Sequence, residues 1–161
     1  QDRTGGFTEF VPLPFVHTNA PIYLAGKARP GATFEESRRM HAVARIALHG
    51  AIRNIQVSWV KMGAEGSKLA LQAGANDLGG TLMNENISRA AGASHGQELG
   101  VAQIEELIRS VGRVPRQRTT LYGDPPQTGQ LGADTPGVSG HGRPVWGPGA
   151  PGPVRAGRVS R

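Results

Sequence analysis

Residues 54–88, beginning NIQVSWVKMG, constrain the fold more than any other stretch, because they ask for two strands joined by one helix. Ile55, Val57 and Trp59 alternate with Gln56 and Ser58. That two-residue period belongs to a strand with one apolar and one polar face, and it predicts a strand from Ile55 to Trp59. A helical run from about Glu65 to Ala73 follows, with Gly74 as its stop. Asn76 to Gly80 then reads as a second strand. The intervening helix gives the connection the length a parallel pairing requires, so the unit is strand, helix, parallel strand, and it needs a sheet to join.

The preceding residues repeat the pattern. Phe7 to Val11 has the aromatic and β-branched content of a strand, and Pro12 and Pro14, which cannot donate to a ladder, mark its exit. A loop from His17 to Ala32 leads to Thr33, a good cap for a helix from Phe34 to about His49 with Glu35 and Glu36 in its first turn. Met40, Val43, Ala44, Ala47 and Leu48 share one face of this helix, which is expected to pack inward. Arg38, His41, Arg45 and His49 share another, read either as a phosphate or metal surface or as a solvated face. A further helix is predicted from Glu98 to Val111, apolar at Val101, Ile104, Leu107 and Ile108 and stopped by Gly112; Thr119 to Tyr122 suits a short closing strand. Two crossovers joining three strands describe an α/β fold, a slice of a (β/α) barrel or of an open sheet.

Composition divides the chain. From Gly123 onward there are 10 Gly and 7 Pro in 39 residues, which predicts a disordered tail over 123–161 behind a structured region 1–122. The tail holds 4 Arg and 2 Asp of the 18 basic and 12 acidic residues, so the region before it carries 14 and 10, a net +4 that argues only weakly for nucleic acid. There is no cysteine, so these residues offer neither a thiolate ligand nor a thiol nucleophile. No apolar run approaches the ~18 residues of a membrane span, and the first residues lack a signal-peptide pattern. Gln1 to Gly6 reads like a helix exit, as if the chain began inside a larger protein.

Several residues are placed where chemistry is possible. Gln56 and Ser58 face away from the apolar side of their strand, toward a polar ligand or toward solvent. Asn76 and Asp77 are residue types that strands disfavour, and a local rule broken inside a core element points to a site. Gly79 and Gly80 allow close approach to the backbone. Lys61, Glu85, Arg89, Glu9 and His17 are further candidates at strand ends and loops. No nucleophile–base pair, phosphate loop or metal-ligand set emerges from spacing, so no catalytic residue and no metal ligand is assigned.

The segments GGFTEFVPLPFVHTNAPIYLAGKARPG, MHAVARIALHG, NIQVSWVKMG, GANDLGGTLMNENISRAAGASHGQE and RQRTTLYG closely resemble the C-terminal part of a radical S-adenosylmethionine family. It is the tyrosine-utilising subunit of FO synthase, CofH, which is also the C-terminal half of the fused enzyme FbiC. The resemblance runs from Thr4 to about Tyr122. It implies a (β/α) barrel entered at about its sixth strand and followed to the eighth, a 4Fe-4S cluster held by a CxxxCxxC motif, and S-adenosylmethionine as radical source. It also implies a cytoplasmic transferase, a 5-amino-6-(D-ribitylamino)uracil–L-tyrosine 4-hydroxybenzyl (hydroxyphenyl) transferase of deazaflavin synthesis, partnered by the second FO synthase activity, CofG or the N-terminal half of the fusion. The cluster motif is absent, so the chain looks like a fragment, inactive alone. On the motif match and the inward strand geometry, substrate binding is assigned to Gln56, Ser58, Asn76, Asp77 and Glu85.

Two other readings stand beside this one. A futalosine-pathway radical enzyme of menaquinone synthesis shares the architecture, although the run NIQVSWVKMG favours the first family. A non-catalytic partial barrel whose Arg- and Gly-bearing tail binds an acidic partner is the alternative from another class.

Overall fold

The computed structural model describes residues 1–83, 86–93, 98–126 and 154–157, with Met83 and 154–157 described by their backbone. The chain is a mixed α/β structure built on parallel strands. Strand β1 (Glu9–Phe10) pairs in parallel with β2 (Asn54–Ile55), Glu9 opposite Asn54 and Phe10 opposite Ile55. A parallel bridge between Gln56 and Asp77 then joins β2 to β3 (Asp77–Gly80). Backbone bonds from Gln56 N to Phe10 O, from Val57 N to Asp77 O and from Asn76 N to Ile55 O, each 2.9 Å, tie the three together.

The crossover between β1 and β2 holds a short helix α1 (Pro21–Leu24) and the longer α2 (Phe34–Ala47). The predicted cap at Thr33 forms in full. Its side chain accepts from the Glu36 backbone, and the Glu36 carboxylate accepts from the Thr33 backbone, so two amides that no helical carbonyl can reach are satisfied. The crossover between β2 and β3 is α3 (Trp59–Gln72). It begins earlier than the strand alternation suggests. Ser58 is its N-cap residue, the Ser58 carbonyl accepts from Lys61 and Met62, and Trp59 therefore lies in the helix and not in a strand. At Gly63 the backbone turns to φ 67°, ψ −178°, a conformation only glycine adopts freely, and the helix kinks there. The portion recognisable in the sequence, Glu65 to Gln72, is the part beyond the kink.

The remaining elements are a hairpin-like pair β4 (Leu82–Met83) and β5 (Glu98–Leu99), the short α4 (Ile87–Ala90), α5 (Val101–Ser110), β6 (Pro115–Arg118) and β7 (Val154–Gly157). β6 precedes the Thr119–Tyr122 segment expected to be a strand. Those residues form a turn instead, with Tyr122 N donating to Thr119 O and Tyr122 itself at φ 63°.

β7 lies between β3 and β6, parallel to both. It falls within the stretch 123–161 expected to be disordered, and for these four residues the expectation is corrected: pairing uses backbone groups, which a count of Gly and Pro does not register. Residues 127–153 and 158–161 lie outside the described residues.

One face of the sheet is covered by helices. Val57 and Leu78 pack with Met62, Ala70 and Leu71 of α3 and with Ile104, Leu107 and Ile108 of α5 in one apolar cluster. α5 thus buries the stripe its sequence advertises, apart from Val101, which stays exposed.

α2 does the opposite. Met40 and Val43 are exposed, whereas Ser37, His41 and Ala44 are buried, His41 completely. The cause lies in backbone groups that need donors. The Arg45 guanidinium reaches Gly74 O at 2.8 Å, Arg53 O at 2.9 Å and Asn76 Oδ1 at 2.7 Å, which turns the His41–Arg45 stripe inward. His41 and Arg45 are consequently neither a metal or phosphate surface nor part of a solvated face, whereas Arg38 and His49, the other two residues of the stripe, are exposed. Arg38 pairs locally with Glu35.

Candidate functional site

The face of the sheet opposite the helices gathers polar side chains from four segments. Asp77, the first residue of β3, is fully buried, and Arg118, the last residue of β6, is 6% exposed. Arg118 Nη2 donates to Asp77 Oδ2 at 2.7 Å, while the other carboxylate oxygen accepts from the Gly79 backbone at 2.9 Å. Gln56 Nε2 donates to Asp77 Oδ2 at 3.3 Å and to Glu9 Oε2 at 3.1 Å. The Tyr122 hydroxyl lies 2.5 Å from Asp77 Oδ2 and is hydrogen-bonded to Glu9 Oε2 as well. Its ring stacks on Arg118, with the guanidinium carbon 4.0 Å from the ring centre.

Local backbone geometry makes this convergence possible. Gly79 adopts φ 71°, and a Cβ there would stand 3.0 Å from Gln56 Oε1, so glycine both permits the bend after Asp77 and leaves room for the Gln56 amide. The Gln56–Asp77 bridge fixes the two side chains at equivalent levels of neighbouring strands.

Two carboxylates face one guanidinium, so the cluster is rich in acceptors. Burial, and after it the hydrogen bond and charge of Asp77, push the Tyr122 phenol far above its usual range; it stays a protonated donor at any physiological pH.

Of the residues singled out from the sequence, Gln56, Asp77 and Glu9 meet here. Asn76 does not: its Oδ1 accepts from Ile55 N at 2.8 Å and from Arg45, which ties the strand to α2 on the helix-covered side. Ser58 sits at the start of α3, half-buried, and its side chain makes no capping bond. Lys61 hydrogen-bonds the buried Ser88, Arg89 bonds Asn86, and His17 Nδ1 accepts from Gly31 N. Glu85 lies outside the described residues. Arg118 and Tyr122 were not visible as site residues, since they stand 41 and 45 positions beyond Asp77 and no local pattern links them to it. The signal was present only in the motif RQRTTLYG, which contains both.

Residues 4–130 match the model of the CofH/MqnC C-terminal region. The chain belongs to that family. Against individual proteins it is 62% identical over 123 residues to the FO synthase of Nocardia farcinica and 60% identical over 122 residues to that of Mycobacterium tuberculosis, covering 76% of this chain and 14% of each relative. It is 53% identical over 122 residues to the 5-amino-6-(D-ribitylamino)uracil–L-tyrosine 4-hydroxyphenyl transferase of Methanothermobacter thermautotrophicus, 76% of this chain and 33% of that one. The chain thus spans about one seventh to one third of the length of these relatives. No solved structure matches it.

Within the CofH/MqnC region described here, a cluster of the kind the resemblance implies does not fit. The 161 residues contain no cysteine, and among the described residues no group of three or more His, Asp or Glu side chains is arranged to hold a metal. No helix among the described residues is long and apolar enough to cross a membrane.

Proposed function

We propose that this chain supplies part of the substrate-binding wall of a 5-amino-6-(D-ribitylamino)uracil–L-tyrosine 4-hydroxyphenyl transferase, one of the activities of FO synthase. The body 1–122 carries this role as three consecutive parallel strands of a radical S-adenosylmethionine (β/α) barrel in the cytoplasm. The parent protein binds S-adenosylmethionine and a 4Fe-4S cluster whose cysteine ligands lie outside these residues, and it works with the second FO synthase activity. Substrate contacts come from Gln56 and Asp77 in the polar corner; Ser58, at the N-cap of α3, and Glu85 are the further candidates. Asn76 acts indirectly, by holding β2 against α2.

The observation that carries this reading is the buried Asp77 carboxylate on the sheet face away from the helices, with Gln56, Glu9, Arg118 and Tyr122 closing on it. A carboxylate is costly to bury, and a polar corner at strand ends on the face away from the helices is suited to grip polar groups of a ligand. The test is a chimera in which residues 4–122 replace the matching segment of the Nocardia farcinica FO synthase. After anaerobic reconstitution it should convert tyrosine and 5-amino-6-(D-ribitylamino)uracil at a rate within about ten-fold of the parent enzyme. A folded, cluster-loaded chimera that makes no product contradicts the reading.

A further inference from the structure

The polar corner has an imbalance that points to a particular kind of ligand. The Tyr122 hydroxyl carries one hydrogen, yet it faces two carboxylates, Glu9 and Asp77. One of these two contacts is therefore left without a hydrogen, although Asp77 Oδ2 also accepts from Arg118 and Gln56 and Glu9 Oε2 from Gln56. A few ångströms away Arg118 Nε is buried and has no hydrogen-bond partner among the described residues. Nε and Nη2 form one edge of the guanidinium, and Nη2 is engaged with Asp77 Oδ2, so this vacant N–H lies on the side turned to the carboxylate. An acceptor contact short of a hydrogen and a donor without an acceptor, side by side, are matched by a group that does both. An alcohol is such a group: it donates once and accepts up to twice.

Tyr122 holds its place at some cost. It has φ 63°, the one non-glycine residue in the left-handed region among the described residues, within a turn closed by Thr119 and Gly123. Backbone strain of that kind persists where side-chain contacts hold it, and here the contacts are those of the phenol with the two carboxylates. The side chain is only half-buried, so the way out is through solvent and not through the core.

We infer that the corner formed by Glu9, Gln56, Asp77 and Arg118 is the subsite for the polyhydroxy chain of the substrate, and that the Tyr122 hydroxyl is its internal occupant, displaced when the chain binds. The inference rests on the proposed transferase function and assigns one moiety of one substrate, the ribityl chain, to this corner. The first ribityl hydroxyl to enter takes over the carboxylate contacts of the phenol, and a neighbouring oxygen accepts from Arg118 Nε. No covalent bond changes.

The competition predicts an unusual sign. A residue that merely braces the corner weakens substrate binding when truncated, whereas an internal competitor strengthens it. In the chimeric enzyme, Tyr122→Phe should lower KM for 5-amino-6-(D-ribitylamino)uracil by roughly three- to ten-fold, the range set by one net hydrogen bond, and leave KM for tyrosine unchanged. Gln56→Leu, which keeps the bulk and removes the donor, should raise KM for the ribityl compound. The chainless competitor 5,6-diaminouracil should inhibit the parent chimera and the Tyr122→Phe variant equally. An unchanged or raised KM in folded Tyr122→Phe overturns the inference while the transferase reading stands, and so does a parallel gain in affinity for 5,6-diaminouracil. A chimera inactive before any substitution removes the transferase reading and this inference with it.

Discussion

The two faces of the parallel sheet answer the same problem, how to bury polar atoms beside a strand, in opposite ways. On the helix-covered face the polar groups serve the backbone: Asn76 and Arg45 together satisfy the Ile55 amide and the carbonyls of Arg53 and Gly74, and His41 meets the Ser37 carbonyl through Nδ1, leaving its buried Nε2 without a partner among the described residues. On the other face the polar groups serve one another, and their sum does not close, since two carboxylates share one phenol hydrogen and Arg118 Nε is left over. The two unmatched nitrogens differ in setting: His41 Nε2 is sealed among packed helices, whereas Arg118 Nε lies beside carboxylates and the half-buried Tyr122, where a ligand can reach and complete it.

Substitutions can separate the two faces. The largest loss belongs to Asp77→Ala, which strands the 6% exposed Arg118 without its counter-ion; removing one partner of a buried pair costs about 3–5 kcal/mol, and chemical denaturation should show it. An unfolding free energy within about 1 kcal/mol of the parent would mean that the corner is hydrated and not buried.

Arg45→Ala on the covered face comes next. It removes the side-chain donor of the Gly74 carbonyl and leaves Asn76 Oδ1 with the Ile55 amide alone, at roughly 1–3 kcal/mol. In the chimeric enzyme this loss should leave the KM values of both substrates where they were. A KM change as large as that of a corner variant would erase the distinction between the faces.

The smallest effect is a pH dependence of stability. Burial lowers the pKa of His41, against the opposing pull of its contact with the Ser37 carbonyl. With the folded value below the unfolded one near 6.5, the unfolded chain binds more protons, so stability is complete above about pH 6.5 and falls as the pH drops below it, by at most ~1.4 kcal/mol per unit. His41→Gln should flatten that limb of the curve in thermal melts at pH 5 to 7. Equal slopes in the two proteins would place the acid sensitivity elsewhere.

Much of this was legible in residues taken a few at a time. The parallel crossover through Asn76 and Asp77, the Thr33 cap and the buried stripe of α5 follow from periods and caps, which act over one or two turns. Trp59 misled because an alternating run that ends at a helix cap looks like a longer strand; the Ser58 carbonyl, which accepts from Lys61 and Met62, decides the matter and has no sequence signature. The inverted face of α2 was hidden for a related reason. Hydrophobic periodicity counts apolar side chains, whereas Arg45 is drawn inward by carbonyls of Arg53 and Gly74 that lie in other segments. At the site, Gln56 and Asp77 betrayed themselves as polar residues in strands, but Arg118 ends the basic strand β6 and Tyr122 lies in the turn after it, and both gain meaning only when the chain returns to the sheet.

The most direct measurement of the central claim is steady-state turnover of the chimeric enzyme carrying Gln56→Ala, read beside its melting temperature and cluster content. Gln56 is half-buried and carries no charge, so its loss disturbs the fold less than that of Asp77, yet its Nε2 donates to both carboxylates. The polar face as a substrate wall predicts that kcat/KM for the ribityl compound falls about ten-fold or more, the equivalent of ~1.4 kcal/mol, with melting temperature and cluster content little changed. Wild-type turnover, or a loss only in proportion to folded protein, would contradict it.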